Sequence, residues 1–221
     1  MNSQSPTIGE QMVQVHSGRR WLPGILHIPP NPLGVVLFAH GSGSGRNSPR
    51  NQFVAHVLND GSLATLLLDL LDEDEADDRQ KVFDIELLAH RLQGAADWLA
   101  QQPDTHGLRA GYFGASTGAA AALVAAARQP DSVGAVVARG GRTDLAYDLL
   151  PAVTAPTLLI VGGADEPVVD LNAQSYRRLR CPKQMIVVPG ATHLFPEPGA
   201  LEEVARLARD WFGRHLPGNP V

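Results

Sequence analysis

The sequence predicts an α/β fold, a mostly parallel sheet with helices on both faces, and three observations carry that prediction. First, short apolar runs without polar alternation recur along the chain, at residues 34–39 (GVVLFA), 63–70, 109–113, 133–138, 157–161 and 184–188. Strands buried on both faces read this way. Second, helix-prone stretches separate them at residues 50–60, 82–101, 117–128, 170–179 and 200–215. Strands that alternate with helices build parallel sheets. Third, the strand at 109–113 runs into Gly114-Ala115-Ser116-Thr117-Gly118 and then into an alanine-rich helix. A strand that reverses sharply into a helix leaves no room for Cβ atoms at the bend, so glycine flanks it.

The elements follow in order. Residues 12–16 and 21–28 read as two short strands around Ser17-Gly18, and Pro29, Pro30 and Pro32 end that unit. Gly61 stops the first helix, Pro103 the second and Pro130 the helix after the bend. Residues 72–78 (DEDEADD) read as a solvated acidic loop. Their carboxylates lack the alternating ligand pattern of a calcium loop, so no metal is expected there.

Bulk composition narrows the class. A length of 221 residues suits one α/β domain over residues 1–221. Eighteen basic against 23 acidic residues give a net charge of −5, which argues against general nucleic-acid binding. Cys181 is the lone cysteine, so no internal disulfide forms and a reducing compartment is the simpler reading. Residues 1–15 lack the basic and apolar regions of a secretory leader, and no apolar run is long enough to span a bilayer. The expectation is a cytoplasmic protein that binds a small molecule, with no nucleic-acid or membrane partner. The closing helix and the N-terminal hairpin are faces that a homodimer could use.

The bend carries chemistry. G-x-S-x-G between strand and helix exposes its serine at the top of the sheet, over a helix N-terminus that favours developing negative charge. A serine hydroxyl needs a base to take its proton, and the base needs an acid to hold its tautomer. In an open α/β sheet such groups meet at the carboxyl ends of the strands. Asp165 follows the strand at 157–161 and His193 follows the strand at 184–188, in the order Ser, Asp, His. Each alone is also what a turn aspartate or a loop histidine looks like. The oxyanion would be held by the N–H of Thr117 and by that of Ser42, in the glycine-rich loop His40–Gly45. The rival reading of that loop is a dinucleotide or phosphate cradle, and it is disfavoured because Arg46-Asn47-Ser48-Pro49 intervenes before a helix opens and the full G-x-G-x-x-G fingerprint is absent. His40 reads as a structural residue that holds the loop. Arg46, Arg50, Arg139 and Arg142 should lie near the same edge, where they either bind an anionic group on the substrate or pair with Asp144, Asp148 or Asp72. Asp144 is a lower-ranked alternative acid.

With HGSGSG at 40–45, GASTG at 114–118, GGADEPV at 162–168 and GATH at 190–193, the chain resembles the α/β-hydrolase superfamily, and within it the dienelactone hydrolase-like group. The resemblance covers about residues 35–212. It implies an eight-stranded sheet with an antiparallel first pair, Ser116 as nucleophile, His193 as base and Asp165 as orienting acid. True dienelactone hydrolases carry a cysteine at the elbow; here Ser116 stands there, and Cys181, before the last strand, cannot replace it. Residues 139–156 are too few for the lid domain that other members insert. The implied activity is hydrolysis of a small ester, thioester or lactone through an acyl-enzyme, with no metal or organic cofactor. The alternatives are a peptidase or acyltransferase on the same residues, or a binding module that has kept the fold.

Overall fold

In a computed structural model, which describes residues 9–217, eight strands form one sheet in the order β1-β2-β4-β3-β5-β6-β7-β8. The strands are β1 (Gln11–Ser17), β2 (Arg20–His27), β3 (Val35–Ala39), β4 (Ala64–Leu68), β5 (Ala110–Ala115), β6 (Val133–Arg139), β7 (Thr157–Gly162) and β8 (Lys183–Val188). The β1–β2 and β2–β4 pairs are antiparallel, and all others are parallel. This is the α/β-hydrolase arrangement. The part of the leader reading that concerns residues 1–8 lies outside the described residues. Among those described, no helix is long and apolar enough to cross a membrane.

Side chains alternate between two cores, as the pleat requires. In β3, Val35, Leu37 and Ala39 face one core, and Val36 and Phe38 face the other. The first core is closed by α4 (Ile85–Gln101) and α5 (Thr117–Arg128), with α6 (Glu166–Arg178) packed on β7 and β8. The second is closed by α1 (Pro49–Asp60) and α7 (Ala200–His215). In α5, every residue from Thr117 to Ala126 is buried. Alanine side chains let this helix approach both the sheet and α4 closely. Gly118 carries the approach furthest, because a Cβ there would lie 2.0 Å from the Ala39 carbonyl oxygen.

Two boundaries differ from the sequence reading by more than two residues. Helix α6 starts at Glu166 rather than 170, because Pro167 has the fixed φ that a first helical turn accepts. Helix α4 starts at Ile85 rather than 82, because Asp84 caps it through the Leu87 N–H. The larger correction concerns the acidic segment. Asp72 caps α2 (Glu73–Ala76) in a reciprocal capping box with Glu75, and Asp78 caps α3 (Arg79–Val82). Glu75 is buried and accepts both arms of the buried Arg91 guanidinium, at 2.5 and 2.8 Å. Arg91 also donates to the Leu70 carbonyl at 2.7 Å. Asp72, Glu75 and Asp78 are therefore structural caps and one buried ion pair, while Asp74 and Asp77 stay exposed to solvent. Between β6 and β7 the chain makes only two short 3-10 turns, Thr143–Ala146 and Leu150–Ala152, so no lid stands over the sheet edge.

Candidate active site

Ser116 sits at the end of β5 with φ 52° and ψ −120°, a conformation that costs a non-glycine residue about 1–3 kcal/mol and persists only when its surroundings enforce it. The enforcement is visible. The Ser116 N–H donates to the Arg139 carbonyl at 3.2 Å, and the Ser116 carbonyl accepts from the Ala119 and Arg142 N–H groups at 3.1 and 3.0 Å. Gly114 gives the helix room, since a Cβ there would meet the Ala119 Cα at 2.4 Å. Ser116 makes no side-chain capping bond to α5, which leaves its hydroxyl uncommitted to the helix.

The loops after β7 and β8 are laced together. Gly163 N–H donates to the Val188 carbonyl at 2.8 Å, and Ala164 N–H to the Ala191 carbonyl at 2.9 Å. Gly162 permits this, because a Cβ there would lie 2.4 Å from the Ala191 oxygen. The lacing brings Asp165 to His193, with Nδ1 of the imidazole 2.7 Å from Oδ2. That bond places the proton on Nδ1 and leaves the Nε2 lone pair free to accept another. Gly140, at φ 52°, lies flat against the imidazole; a Cβ there would stand 3.2 Å from the His193 carbonyl oxygen and 3.4 Å from Nδ1. A side chain at residue 140 would be strained by the positive φ and would press on the His193 carbonyl.

The loop 40–45 runs beside Ser116. A Cβ on Gly41 would lie 3.0 Å from the Ser116 Cβ. Ser42 and Thr117 line one open cleft of about 770 Å³. His40 is buried beneath the loop, where its Nδ1–H donates to the Gly41 carbonyl at 3.0 Å and its Nε2 accepts the Leu70 N–H at 3.0 Å. Burial pushes its pKa below the ordinary value, so it is a neutral strut. Leu71, Val82 and Leu88 give the far wall of the cleft an apolar surface, and Asp74 and Asp77 rim it. The sequence reading missed this wall, which belongs to the α2–α3 segment and α4.

The four arginines divide into two pairs. Arg46 is tied to Asp69 through both its guanidinium and its N–H. Arg142 makes a bidentate bond to Asp144 at 2.9 and 2.8 Å, which also occupies the alternative acid. Asp72 pairs with Arg20 instead. Arg50 and Arg139 form no ion pair among the described residues. Cys181 is buried beside the Thr157 hydroxyl, and burial pushes its thiol pKa up, which suits a structural residue. Among the described residues no cluster of His, Cys, Asp and Glu is arranged to hold a metal ion.

The fold and this site define an α/β-hydrolase. Residues 24–215 match the profile of the dienelactone hydrolase family. The chain superposes with a TM-score of 0.92 on a crystal structure of dienelactone hydrolase from Anabaena variabilis, at 55% identity over 96% of this chain and 100% of that one. The chain belongs to the dienelactone hydrolase family. Est1E from Butyrivibrio proteoclasticus shares the fold, with a TM-score of 0.79 at 16% identity over 93% of this chain and 98% of that one. A Mycobacterium tuberculosis protein, provisionally named a phosphoribosyl transferase, is 57% identical over 213 residues, 96% of this chain and 48% of its own length. The chain thus spans about half the length of the curated relatives it matches at that level.

Proposed function

We propose that this chain hydrolyses short carboxylic esters, thioesters or lactones through an acyl-enzyme on Ser116. The observation that carries the proposal is the His193–Asp165 bond at 2.7 Å, made between loops that flank a serine held at φ 52°. The reaction follows from the groups available. His193 Nε2 takes the Ser116 proton as Oγ attacks the carbonyl carbon, and Asp165 stabilises the imidazolium that forms. The N–H groups of Thr117 and Ser42 receive the developing oxyanion, and such a donor is worth about 3 kcal/mol in the transition state. The imidazolium then protonates the leaving alkoxide or thiolate. In the second half, His193 activates water against the acyl-enzyme, the acid departs, and Ser116 recovers its proton.

The open cleft supports a short acyl chain, because no lid domain shelters a long one. The transferase name belongs to a protein about twice as long as the part matched here, and we do not extend it to this chain. The test is steady-state hydrolysis of acetyl, butyryl and octanoyl aryl esters and of the corresponding thioesters. Turnover that falls with chain length is expected. Absence of turnover on every ester and thioester contradicts the proposal.

A further inference from the structure

Asn172 lies in the middle of α6 and is fully buried, on the side of the helix that packs against the 3-10 turn Thr143–Ala146. Asparagine is a poor helix former, and this one leaves its Oδ1 buried without a hydrogen-bond partner among the described residues. A leucine, of nearly the same shape, would be the less costly residue in such a place. The amide therefore calls for an explanation, and its two N–H groups supply one. Nδ2 donates to the Val168 carbonyl, one turn back in α6, at 2.8 Å, and to the Gly141 carbonyl, also at 2.8 Å. Two carbonyls at one end of the amide also fix which end carries the nitrogen.

The bond to Gly141 begins a chain. The Gly141 carbonyl and the Arg142 N–H belong to one peptide group, which is planar and rigid. That N–H donates to the Ser116 carbonyl at 3.0 Å. The Ser116 carbonyl in turn shares a peptide group with the Thr117 N–H, at the first residue of α5, where the helix offers it no partner. Three links thus run from the Asn172 amide, through the 141–142 and 116–117 peptides, to the N–H that receives the oxyanion in the proposed mechanism. Each bond polarises the next in the same sense, and in a dry interior such a chain strengthens its last donor. The 141–142 peptide is also tightly wedged, since a Cβ on Gly141 would lie 2.8 Å from the Ala119 Cβ and 3.1 Å from the Thr143 Cγ2. Helix α6 opens on Asp165, so the same side chain ties the helix that presents the acid to the loop that frames Ser116.

We propose that Asn172 is a positioning residue for the oxyanion hole: through the Gly141–Arg142 peptide it sets the orientation and the donor strength of the Thr117 N–H. This inference rests on the ester-hydrolase reading and adds to it a residue that touches neither substrate nor nucleophile. Its signature is a loss in kcat rather than a rise in KM, because an oxyanion donor acts on charge that develops only in the transition state. Both half-reactions pass through an oxyanion, so kcat reports on the hole whichever step is slower.

The test compares Asn172→Leu, which keeps the shape of the side chain and removes both donors, with Ser175→Ala. Ser175 is as deeply buried on the same helix, and its hydroxyl has no partner among the described residues and no part in the chain. Each variant is assayed on an aryl acetate and with an aliphatic trifluoromethyl ketone. The Ser116 Oγ adds to the ketone carbon, its proton passes to His193, and the ketone oxygen is left as an oxyanion in the hole. In Asn172→Leu, kcat should fall by about tenfold at unchanged KM, less than the roughly 100-fold or more that loss of a donor itself costs. The inhibition constant of the ketone should rise by about the same factor, since a transition-state analogue tracks the same contacts. In a nitrogen–proton correlation spectrum the Arg142 and Thr117 amide protons should move upfield together. Ser175→Ala should keep the wild-type kcat, KM, ketone affinity and both amide shifts. Circular dichroism and melting establish that each variant is folded at the assay temperature, and Asn172→Ala, which has the best helix former at that position, replaces the leucine variant if that one does not fold. An unchanged kcat and ketone affinity in the Asn172 variant overturns the proposal and leaves the hydrolase reading standing. An equal loss in Ser175→Ala overturns it as well, because the effect then belongs to the packing of α6. A raised KM with kcat intact gives Asn172 a binding role and also overturns it. Failure of the wild type to hydrolyse any ester removes the hydrolase reading and this inference together.

Discussion

Replacing Glu75 with glutamine should cost about 3 kcal/mol of folding stability, because removing one partner of a buried ion pair strands the other. The structure permits an independent figure. The bonds from Arg91, opposed by desolvation, hold the Glu75 carboxyl at about 2 rather than its ordinary 4.5. At about 1.4 kcal/mol per pH unit, that difference corresponds to roughly 3 kcal/mol at neutral pH, and solvent reaching the pair past the half-exposed Arg20 and Lys81 trims it to about 2. The two routes agree to within about 1 kcal/mol, which is as well as such figures agree. The pH dependence has a definite sign. The folded value lies below the unfolded one, so the contribution is whole above about 4.5 and disappears as pH falls from there towards 2. The assay is urea unfolding of wild type and Glu75→Gln at pH 7 and pH 3, followed by far-ultraviolet circular dichroism. The gap should be about 2–3 kcal/mol at pH 7 and should narrow at pH 3. The double variant Glu75→Leu with Arg91→Met should recover most of the loss, since an apolar pair of similar volume avoids the stranded charge. A Glu75→Gln variant within about 0.5 kcal/mol of wild type, the range of ordinary surface changes, would refute the reasoning. The consequence reaches the site, because this pair anchors the segment that forms the far wall of the cleft.

Three further outcomes are expected. Gly118→Ala should lose about 4 kcal/mol or more and accumulate as insoluble protein, since its Cβ would fall 2.0 Å from a backbone oxygen that has nowhere to move; normal expression and melting would contradict the packing described. Ser116→Gly should be more stable than Ser116→Ala by about 1 kcal/mol, seen as a melting temperature several degrees higher, because glycine relieves the strain at φ 52°. Cys181→Ser should retain most ester turnover and iodoacetamide should react slowly with the native thiol, whereas loss of turnover would give Cys181 a role that its burial denies.

The sheet was readable from sequence wherever burial on both faces left an unbroken apolar run, as in β3, β6 and β7. Helix α5 was readable to its ends, because Ser116 and Pro130 bracket an alanine run. Asp165 and His193 were readable because strand ends are few and the order of the residues is constrained; their contact depends on the glycine at 162 that lets two loops touch. What was hidden depends on distant partners. Helices α2 and α3 are four residues each, too short to show a period, and Glu75 acquires its meaning from Arg91, sixteen residues on. The cue available was local: Asp72 followed three residues later by Glu75 is a capping-box pattern. Arg139 read as one of four arginines at the sheet edge that either bind an anion or pair with a nearby acid. Its burial comes from α1 and the loop that carries Phe195, elements about 90 and 55 residues away in the chain, and no local pattern encodes it.

The most direct test of the account is labelling with a fluorophosphonate probe, read by intact mass and by mapping of the modified peptide. The account predicts one adduct per chain, on Ser116, absent from Ser116→Ala and formed far more slowly in His193→Gln, because the serine is nucleophilic only while the imidazole takes its proton. A protein that stays unmodified under conditions that label other serine hydrolases, or an adduct on a different residue, would contradict it.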